Sequence, residues 1–243
     1  FVDYIHKAFP DLAEHISTNL SPAAAIAKYI KETDEGAKVV FIGPCTAKKM
    51  EFQKEEVRPY IDSVITFEEL QALFDSRDLD ITTLEEGVLN NASYYGRIFA
   101  RSGGLADAVQ QALKEQNLDE KHIYDPISCD GIEACRVALL KASKGVLPNN
   151  FVEGMACSGG CIGGAGCLTH GEKNKSDVDK YGMEAYENLA QTRPGPVGFG
   201  RVWFGGGRLT SPRRCGITVI TKEGASWALQ WILPRWIFRK TFW

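Results

Sequence analysis

The sequence predicts an α/β domain with largely parallel sheets. Short apolar runs bounded by turn residues alternate with longer segments of helical periodicity over residues 1–191. Strands that alternate with helices in this way are typical of parallel α/β folds. No internal repeat or low-complexity tract interrupts the alternation, and a chain of 243 residues suits one large domain or two small ones.

The first predicted elements carry clear boundary signals. Ser21 and Pro22 suit the N-cap and the first turn of a helix, and Gly43-Pro44 ends the first strand. Thr66-x-x-Glu69 is a capping box that opens a later helix. In order, the sequence predicts a helical stripe over 2–16 that Pro10 interrupts, a helix from Ser21 toward Ile30, a strand over 37–42, a helix over 47–55, a strand over 60–65 and a helix over 66–74.

The second half of residues 1–191 has fewer residues that mark where a helix or strand begins or ends. Residues 80–103 show no clear period, so we expect this stretch to be irregular. The elements predicted after it are a helix over 105–115, a strand over 122–127, a helix over 131–142, a short strand over 151–155 and a helix over 175–190. The last of these strands leads into a loop rich in glycine and cysteine.

Composition excludes several classes of protein. A hydrophobic content of 44% and a charged content of 24% are ordinary for a globular domain. There is no run of about 18 apolar residues and no secretory signal, so neither a membrane span nor export is expected. The seven cysteines are clustered and odd in number, which does not indicate a disulfide framework. Metal-bound thiolates in a reducing cytoplasm fit them better.

The charge and aromatic content change abruptly near Thr192. The sequence therefore divides into a domain over 1–191 and a basic tail over 192–243 of doubtful origin. The tail holds nine Lys or Arg, one acid (Glu223) and all five tryptophans, which gives it a charge of +8 against −11 for residues 1–191. Such a tail could bind an acidic partner, a membrane surface or nucleic acid. A foreign or frameshifted extension is the favoured interpretation.

Two separate segments hold the most distinctive residues. Residues 153–167 contain three cysteines and six glycines, and Cys45 follows the end of a predicted strand. Glycine lets the backbone approach a bound group closely, and thiolates are soft ligands that select iron–sulfur clusters, zinc or copper(I). Thiolates on so flexible a backbone, whose N–H groups can bond to sulfide, favour a cluster over a bare zinc ion.

These two segments resemble the second and third signatures of the iron-iron hydrogenases. The matching residues are Cys45-x-x-Lys48-x-x-Glu51 and Glu153-x-Met155-Ala156-Cys157-x-x-Gly160-Cys161-x-x-Gly164. A lone Cys-x3-Cys would be a weak signal, but residue identities and order agree across both motifs. The resemblance covers roughly residues 1–191 and implies two α/β lobes with the cluster site in the cleft between them.

The resemblance also implies a cofactor, the H-cluster. In that family a 4Fe-4S cubane is joined to a two-iron subsite that carries CO and cyanide. By resemblance, Cys45, Cys157 and Cys161 ligate the cubane, and Cys161 also bridges to the two-iron subsite. Lys48 would donate a hydrogen bond to a cyanide of that subsite, and Met155 would pack beside the bridging region.

Three further residues align with the proton route and the subsite of the family. Glu51 and Ser17 would lie on the route, and Ser21 would lie near the two-iron subsite. Each has a structural interpretation as well: Glu51 could pair with Lys48 on a helix surface, and the two serines could be turn or cap residues. A cysteine after a Gly-Pro turn, such as Cys45, is often only a small buried hydrophobe.

Three cysteines exceed the ligands that the family pattern needs. Cys129, Cys135 and Cys167 could bind or sense something further, or they could pack on helix and strand faces. Packing is the favoured interpretation for Cys129 and Cys135. Cys215 lies in the tail.

The sequence also departs from the family pattern. The first family signature, Thr-Ser-Cys-Cys-Pro followed by an aromatic, does not occur, and Phe1 resembles that aromatic. The fourth cubane ligand and the cysteine that relays protons are therefore not in the sequence, so we expect an incomplete catalytic domain. Gly43 and Cys167 replace the usual methionine and glutamine, as in divergent branches that include sensory ones.

The leading hypothesis is therefore a catalytic domain of an iron-iron hydrogenase that exchanges electrons with ferredoxin and depends on hydrogenase maturation proteins. The alternative is a hydrogenase-like iron–sulfur protein without that activity, used in hydrogen or redox sensing or in cluster assembly. A third hypothesis is a thiol enzyme with Cys45 as nucleophile, although no histidine partner is visible in the sequence. No nucleic-acid partner is expected for the domain.

Overall fold

The computed structural model describes residues 1–34, 36–85 and 92–190, which form an α/β architecture. The strands in these ranges are β1 (Val40–Ile42), β2 (Ser63–Ile65), β3 (Pro126–Asp130) and β4 (Phe151–Met155). The helices are α1 (Val2–Ala8), α2 (Pro22–Thr33), α3 (Ala47–Glu51), α4 (Phe67–Asp75), α5 (Tyr94–Ile98), α6 (Gly104–Glu115), α7 (Ile132–Ser143) and α8 (Lys173–Met183). Short 3-10 helices occupy Pro10–His15, Ile81–Thr83 and Cys161–Gly163. The tail over 192–243 lies outside the described residues.

The four strands form two parallel pairs. Strand β1 pairs with β2, with Val40 opposite Ser63, and strand β3 pairs with β4, with Asp130 opposite Met155. Parallel strands need a crossover connection, and helices α3 and α7 lie in the two crossovers. The predicted α/β class with parallel sheets is confirmed.

Each strand pair has its own hydrophobic core. Around β1 and β2 the buried residues are Ala23, Ala24, Ala27, Phe41, Val57, Ile61 and Val64. Around β3 and β4 they are Phe1, Ile5, Leu12, Cys129, Cys135, Ala138, Leu139, Leu147 and Val152. The first core lies under helix α2, and the second lies among α1, the following 3-10 helix and α7.

The predicted helix caps are present. The Ser21 Oγ accepts a hydrogen bond from the Ala24 N–H at 3.1 Å, with Pro22 as the first residue of α2. At the start of α4, the Glu69 N–H donates to the Thr66 Oγ1 at 3.2 Å, and the Thr66 N–H donates to the Glu69 Oε2 at 2.8 Å. These reciprocal bonds complete the capping box because they satisfy donors that a helix start otherwise leaves without partners.

Several predicted boundaries were wrong. The stretch over 80–103 contains helix α5, which begins at the cap Ser93 and buries Arg97 and Ile98 against α6 and α8. Such a short helix shows little periodicity and depends on packing. The strand predicted over 122–127 lies at 126–130, where Pro126 occupies the first position, which tolerates a missing N–H. The last helix spans 173–183 rather than 175–190, and the predicted helix over 47–55 ends at Glu51.

None of the helices in the described ranges combines the length and the apolar character that crossing a bilayer needs.

Candidate functional site

The two lobes meet where the turn after β1 contacts the loop after β4. We call residues 43–46 the Cys45 turn and residues 156–167 the glycine loop. The Gly166 N–H donates to the Pro44 carbonyl at 2.9 Å, and the Gly166 carbonyl accepts from the Phe67 N–H at 3.2 Å. The structure therefore brings the two sequence motifs together through backbone hydrogen bonds between the lobes.

Glycines make this close approach possible. A Cβ on Gly164 would stand 2.4 Å from the Pro44 carbonyl oxygen, and a Cβ on Gly163 would stand 1.9 Å from the Ser158 carbonyl oxygen. Gly160 has φ +89° and would place a Cβ 2.5 Å from the Ser102 nitrogen. Any side chain at these positions would force the loop open, because these distances are shorter than van der Waals contact.

The glycine loop is also anchored to the chain between α5 and α6. Gly160 forms an antiparallel bridge with Arg101, and the Ser102 N–H donates to the Gly159 carbonyl at 3.2 Å. The Arg101 guanidinium in turn bonds to Asp107 at 3.0 Å and to Asp179 at 2.5 Å. The loop is thus held on one side by Pro44 and on the other by a segment that is itself fixed by ion pairs.

The predicted cysteine ligands lie at this junction of the two lobes. Cys45 and Cys161 are buried, and Cys157 is half-buried. Cys167 is also buried, and its Sγ donates to the Ile162 carbonyl at 3.2 Å. Burial raises the pKa of Cys167 to about 11, and the nearby thiols of Cys157 and Cys45 contribute to that rise. Cysteines from both motifs therefore share one region of the structure.

The number and kind of donor side chains at the junction bear on which metal group they could hold. Among residues 1–34, 36–85 and 92–190, no three His, Cys, Asp or Glu side chains are grouped closely enough to hold one metal ion. A single zinc ion needs its ligands to converge on one point, whereas each thiolate around a cubane binds a different iron atom. The soft donors Cys45, Cys157 and Cys161, on a backbone that allows close approach, could hold such a cluster.

A buried lysine lies directly beside the Cys45 turn. Lys48 belongs to α3 and is only 2% exposed. Its Nζ bonds to the Glu51 carboxylate at 2.8 and 3.0 Å, lies 3.5 Å from the Ser21 Oγ, and stands 5.6 Å from the centre of the Phe41 ring. A buried ammonium must be paired, and the partly exposed Glu51 provides this pairing. The structure therefore brings together three of the predicted site residues, Lys48, Glu51 and Ser21.

The other two predicted residues lie in different surroundings. Met155 is the last residue of β4, is 3% exposed, and packs in a cluster with Ala100, Cys161 and Ile162. Ser17 is half-buried after the first 3-10 helix, and its Oγ accepts a hydrogen bond from the Asn19 N–H at 3.3 Å. That bond is typical of a local turn. Met155 is therefore adjacent to the predicted ligand Cys161. The hydrogen bond of Ser17, by contrast, joins it to none of the other predicted site residues.

Glu153 has a role that the motifs did not predict. This side chain is fully buried in β4. Its carboxylate accepts hydrogen bonds from the Gly103 N–H at 2.9 Å, the Ala106 N–H at 3.1 Å and the Ser128 hydroxyl at 3.0 Å. Desolvation raises the pKa of Glu153, although these donors act in the opposite direction. An acidic residue inside an otherwise apolar strand was the signal that could have revealed it.

Cys129 and Cys135 lie in the core of the β3–β4 lobe, as the packing interpretation expected. The Cys135 Sγ nevertheless donates to the Met155 carbonyl at the end of β4 and lies 3.7 Å from the Cys129 carbonyl oxygen. The surplus cysteines thus separate into a core pair and Cys167, which lies beside the predicted ligands.

The sequence matches one protein family over most of its length. Residues 1–165 match the family described as "Iron only hydrogenase large subunit, C-terminal domain". Because this match covers more than half of the chain, the protein belongs to that family, and the resemblance noted in the two motifs is confirmed.

The chain is similar to curated proteins that have two different functions. The chain is 29% identical over 209 residues to the NADP-reducing hydrogenase subunit HndD of Solidesulfovibrio fructosivorans, an alignment that covers 70% of this chain and 36% of HndD. It is 32% identical over 80 residues to the cytosolic Fe-S cluster assembly factor NAR1 of Kluyveromyces lactis, which covers 33% of this chain and 17% of NAR1. The chain thus spans little more than a third of HndD.

Solved structures show the same fold. A variant of the [FeFe]-hydrogenase HydA1 from Chlamydomonas reinhardtii superposes with a TM-score of 0.54 at 21% identity, over 79% of this chain and 66% of that chain. At this identity the comparison supports the fold, and it agrees with the α/β class seen in the two parallel sheets.

Proposed function

We propose that this chain is part of the catalytic domain of an iron-iron hydrogenase, which interconverts dihydrogen with protons and electrons. The observation that carries the proposal is the junction of the Cys45 turn and the glycine loop. There backbone hydrogen bonds join the turn that carries Cys45 to the loop that carries Cys157 and Cys161, and Cys45 lies beside a buried, ion-paired Lys48, in a chain that belongs to the hydrogenase family. Ferredoxin is the electron partner that we propose.

The residues at the junction fit an H-cluster. Cys45, Cys157 and Cys161 would hold the 4Fe-4S cubane. Cys161 would also hold the two-iron subsite, which carries CO and cyanide ligands. Thiolates are the ligands that iron–sulfur clusters take, and the glycine backbone leaves room for a bulky group to approach. When bound, the cluster supplies the electrons and the site at which hydrogen reacts. Hydrogenase maturation proteins would install the two-iron subsite.

The protein side chains would orient the cluster and move protons. Lys48 would donate a hydrogen bond to a cyanide, because an ammonium carries several N–H donors on one compact charge. Glu51 is bonded to Lys48 and is 19% exposed, so it links the buried site to the surface and could pass protons between them. Ser17 would lie further along that route. Met155 would fill the apolar side of the site beside Cys161.

Infrared spectroscopy of the matured protein tests this proposal. The protein would be produced anaerobically with maturation proteins, together with any sequence that precedes Phe1 in its gene. We expect absorption bands of metal-bound CO and cyanide, and hydrogen-dependent dye reduction. The variant Cys161→Ser should lose both signals, whereas the matched variant Cys167→Ser, outside the proposed ligand set, should keep them. Complete absence of the bands from the matured protein would contradict the hydrogenase proposal.

A second candidate function is an iron–sulfur protein without hydrogenase activity, for sensing or for cluster assembly. The similarity to the cluster assembly factor NAR1 favours it. This candidate retains the cubane and lacks the two-iron subsite. The two candidates therefore differ in one measurement, because only the hydrogenase should show CO and cyanide bands on a protein whose iron and sulfide content indicates a cubane. A cytoplasmic location stays a prediction for both.

A further inference from the structure

Two cysteines outside the candidate site, Cys129 and Cys135, are neighbours in the core of the β3–β4 lobe. Cys129 lies near the end of β3, and Cys135 lies in the first turn of α7, which folds back over the strand after Gly131 with φ +84°. The Cys135 Sγ lies 3.7 Å from the Cys129 carbonyl oxygen, and Cys129 and Cys135 are 2% and 0% exposed. Two cysteines that lie this close need little movement to form a disulfide bond with each other.

The pair is connected to the strand that leads to the glycine loop. The Cys135 Sγ donates to the Met155 carbonyl at 3.4 Å and approaches the Cys129 carbonyl at 3.7 Å. Met155 ends β4 and stands two residues before Cys157. A change at the Cys135 sulfur therefore changes a hydrogen bond at the start of the glycine loop.

A groove gives access to one member of the pair. It has a volume of about 370 Å³, and Cys129 is part of its wall together with Ser128, Glu133, Val137 and Lys141. Cys135 lies fully buried behind it. A small molecule in this groove would reach Cys129 before Cys135, because only Cys129 is part of the wall.

The pKa directions of the two thiols also favour reaction at Cys129. The hydrogen bond from Cys135 lowers the pKa of Cys129, and the same contact raises the pKa of Cys135. Cys129 therefore ionises before Cys135. Thiolates rather than thiols are nucleophiles, so Cys129, the member of the pair that lines the groove, is also the more reactive one.

We propose that Cys129 and Cys135 form a redox-active dithiol that hydrogen peroxide, entering through the groove, oxidises to an internal disulfide. In the first step the Cys129 thiolate attacks one peroxide oxygen, an S–O bond forms, the O–O bond breaks, and the hydroxide that leaves takes up a proton from solvent. In the second step the Cys135 sulfur displaces the hydroxyl group from Cys129. The S–S bond forms, the S–O bond breaks, and the proton of Cys135 leaves with hydroxide as water. The dithiol loses two electrons, and the peroxide gains them.

Oxidation has a structural consequence beyond the pair. The disulfide removes the S–H group that donates to the Met155 carbonyl, so the end of β4 loses one hydrogen bond. The oxidation state of the pair is thereby transmitted to the residues just ahead of Cys157. This inference does not depend on whether the chain acts as a hydrogenase or in cluster assembly.

Peptide mapping of the full-length, cluster-loaded protein tests the proposal. Trypsin cleaves after Lys121 and Arg136, so both cysteines fall within one peptide, His122–Arg136. After peroxide treatment of the folded protein and alkylation, we expect this peptide to be two hydrogens lighter and to carry no alkyl group. Reduction should restore two alkylation sites.

Three variants make the test specific. Cys135→Ser should leave Cys129 as a sulfenic acid that dimedone traps, and Cys129→Ser should leave Cys135 unreacted. Cys167→Ser, which removes another buried thiol that donates to a carbonyl, should leave the disulfide unchanged. The proposal is overturned if the peptide keeps both thiols in the folded protein, if the disulfide forms only in denaturant, or if Cys129 oxidises further without pairing.

A spectroscopic measurement tests the link to the glycine loop. The paramagnetic resonance spectrum of the reduced cubane should change when the pair is oxidised, and it should not change in the Cys129→Ser variant under the same treatment. An identical spectrum before and after disulfide formation would overturn the transmission to β4, even with the disulfide confirmed.

Discussion

Two buried charged side chains, one in each lobe, are satisfied in different ways. Lys48 in the β1–β2 lobe is 2% exposed and bonds to the side chain of Glu51, which is itself partly exposed. Glu153 in the β3–β4 lobe is 0% exposed and bonds to two backbone N–H groups and one hydroxyl. The first charge is connected to solvent through a titratable partner, as proton transfer needs, whereas the second is enclosed by groups that do not titrate near neutral pH. We therefore expect Lys48 to serve the reaction at the site and Glu153 to stabilise the fold.

The comparison predicts that removing Glu153 has the largest effect on stability. In the variant Glu153→Ala, the N–H groups of Gly103 and Ala106 and the Ser128 hydroxyl lose their acceptor inside the protein. We expect a loss of about 3 kcal/mol in the free energy of unfolding. Urea unfolding followed by circular dichroism measures it. A loss below about 1 kcal/mol would show that water replaces the carboxylate, and it would remove the distinction between the two lobes.

The matched variant Glu153→Gln separates charge from shape. It keeps one carbonyl acceptor and has no charge to desolvate, so we expect a smaller loss than in Glu153→Ala. Its pH dependence follows from the raised pKa of Glu153. A folded-state pKa above the unfolded value means that the folded protein holds the proton more tightly. The contribution of Glu153 to stability is then fully present below its unfolded pKa and falls as the pH rises through the folded pKa.

Unfolding curves measured at several pH values test that sign. The difference in stability between the native protein and Glu153→Gln should shrink as the pH rises above the unfolded pKa of a glutamate, about 4.3. A difference that grows with pH would mean that the hydrogen bonds outweigh desolvation in setting the pKa of Glu153.

An intermediate effect is expected at Ser21, which caps α2 and lies 3.5 Å from the Lys48 Nζ. The variant Ser21→Ala should cost about 1 kcal/mol through loss of the N-cap. The control is Ser17→Ala, which removes only a local turn bond and should change the free energy of unfolding by less than about 0.5 kcal/mol. Thermal unfolding of both variants gives the comparison, and equal losses would contradict a special role for the cap.

A smaller effect on stability than that of Ser21→Ala is expected at Lys48, despite its burial. Removing one member of a buried ion pair is costly mainly because the other member is left as an uncompensated buried charge, and the partly exposed Glu51 can instead be rehydrated. We therefore expect Lys48→Met to change stability by less than about 1 kcal/mol. The same variant should lose the CO and cyanide bands of the matured protein. Intact bands would show that Lys48 does not contribute to binding the two-iron subsite.

The local features of the fold were predictable from the sequence. The Ser21 cap, the capping box of Thr66 and Glu69, and the strand over 151–155 were found because their signals lie within a few neighbouring residues. The order of strands and helices also indicated parallel sheets, since the periodicity of each element is visible in the chain. The cysteine motifs indicated the family, because residue identity and spacing are properties of the sequence alone.

Contacts between distant residues decided the rest. The register of β3 against β4, the short helix α5 and the hydrogen bonds of Glu153 depend on partners far away in the chain, so no local pattern reveals them. The pairing of Cys129 with Cys135 depends in addition on how α7 folds back over β3. The sequence by itself determined which residues are available for chemistry, whereas only the tertiary structure decided which of them meet, because burial and hydrogen-bond geometry arise when the two lobes pack together.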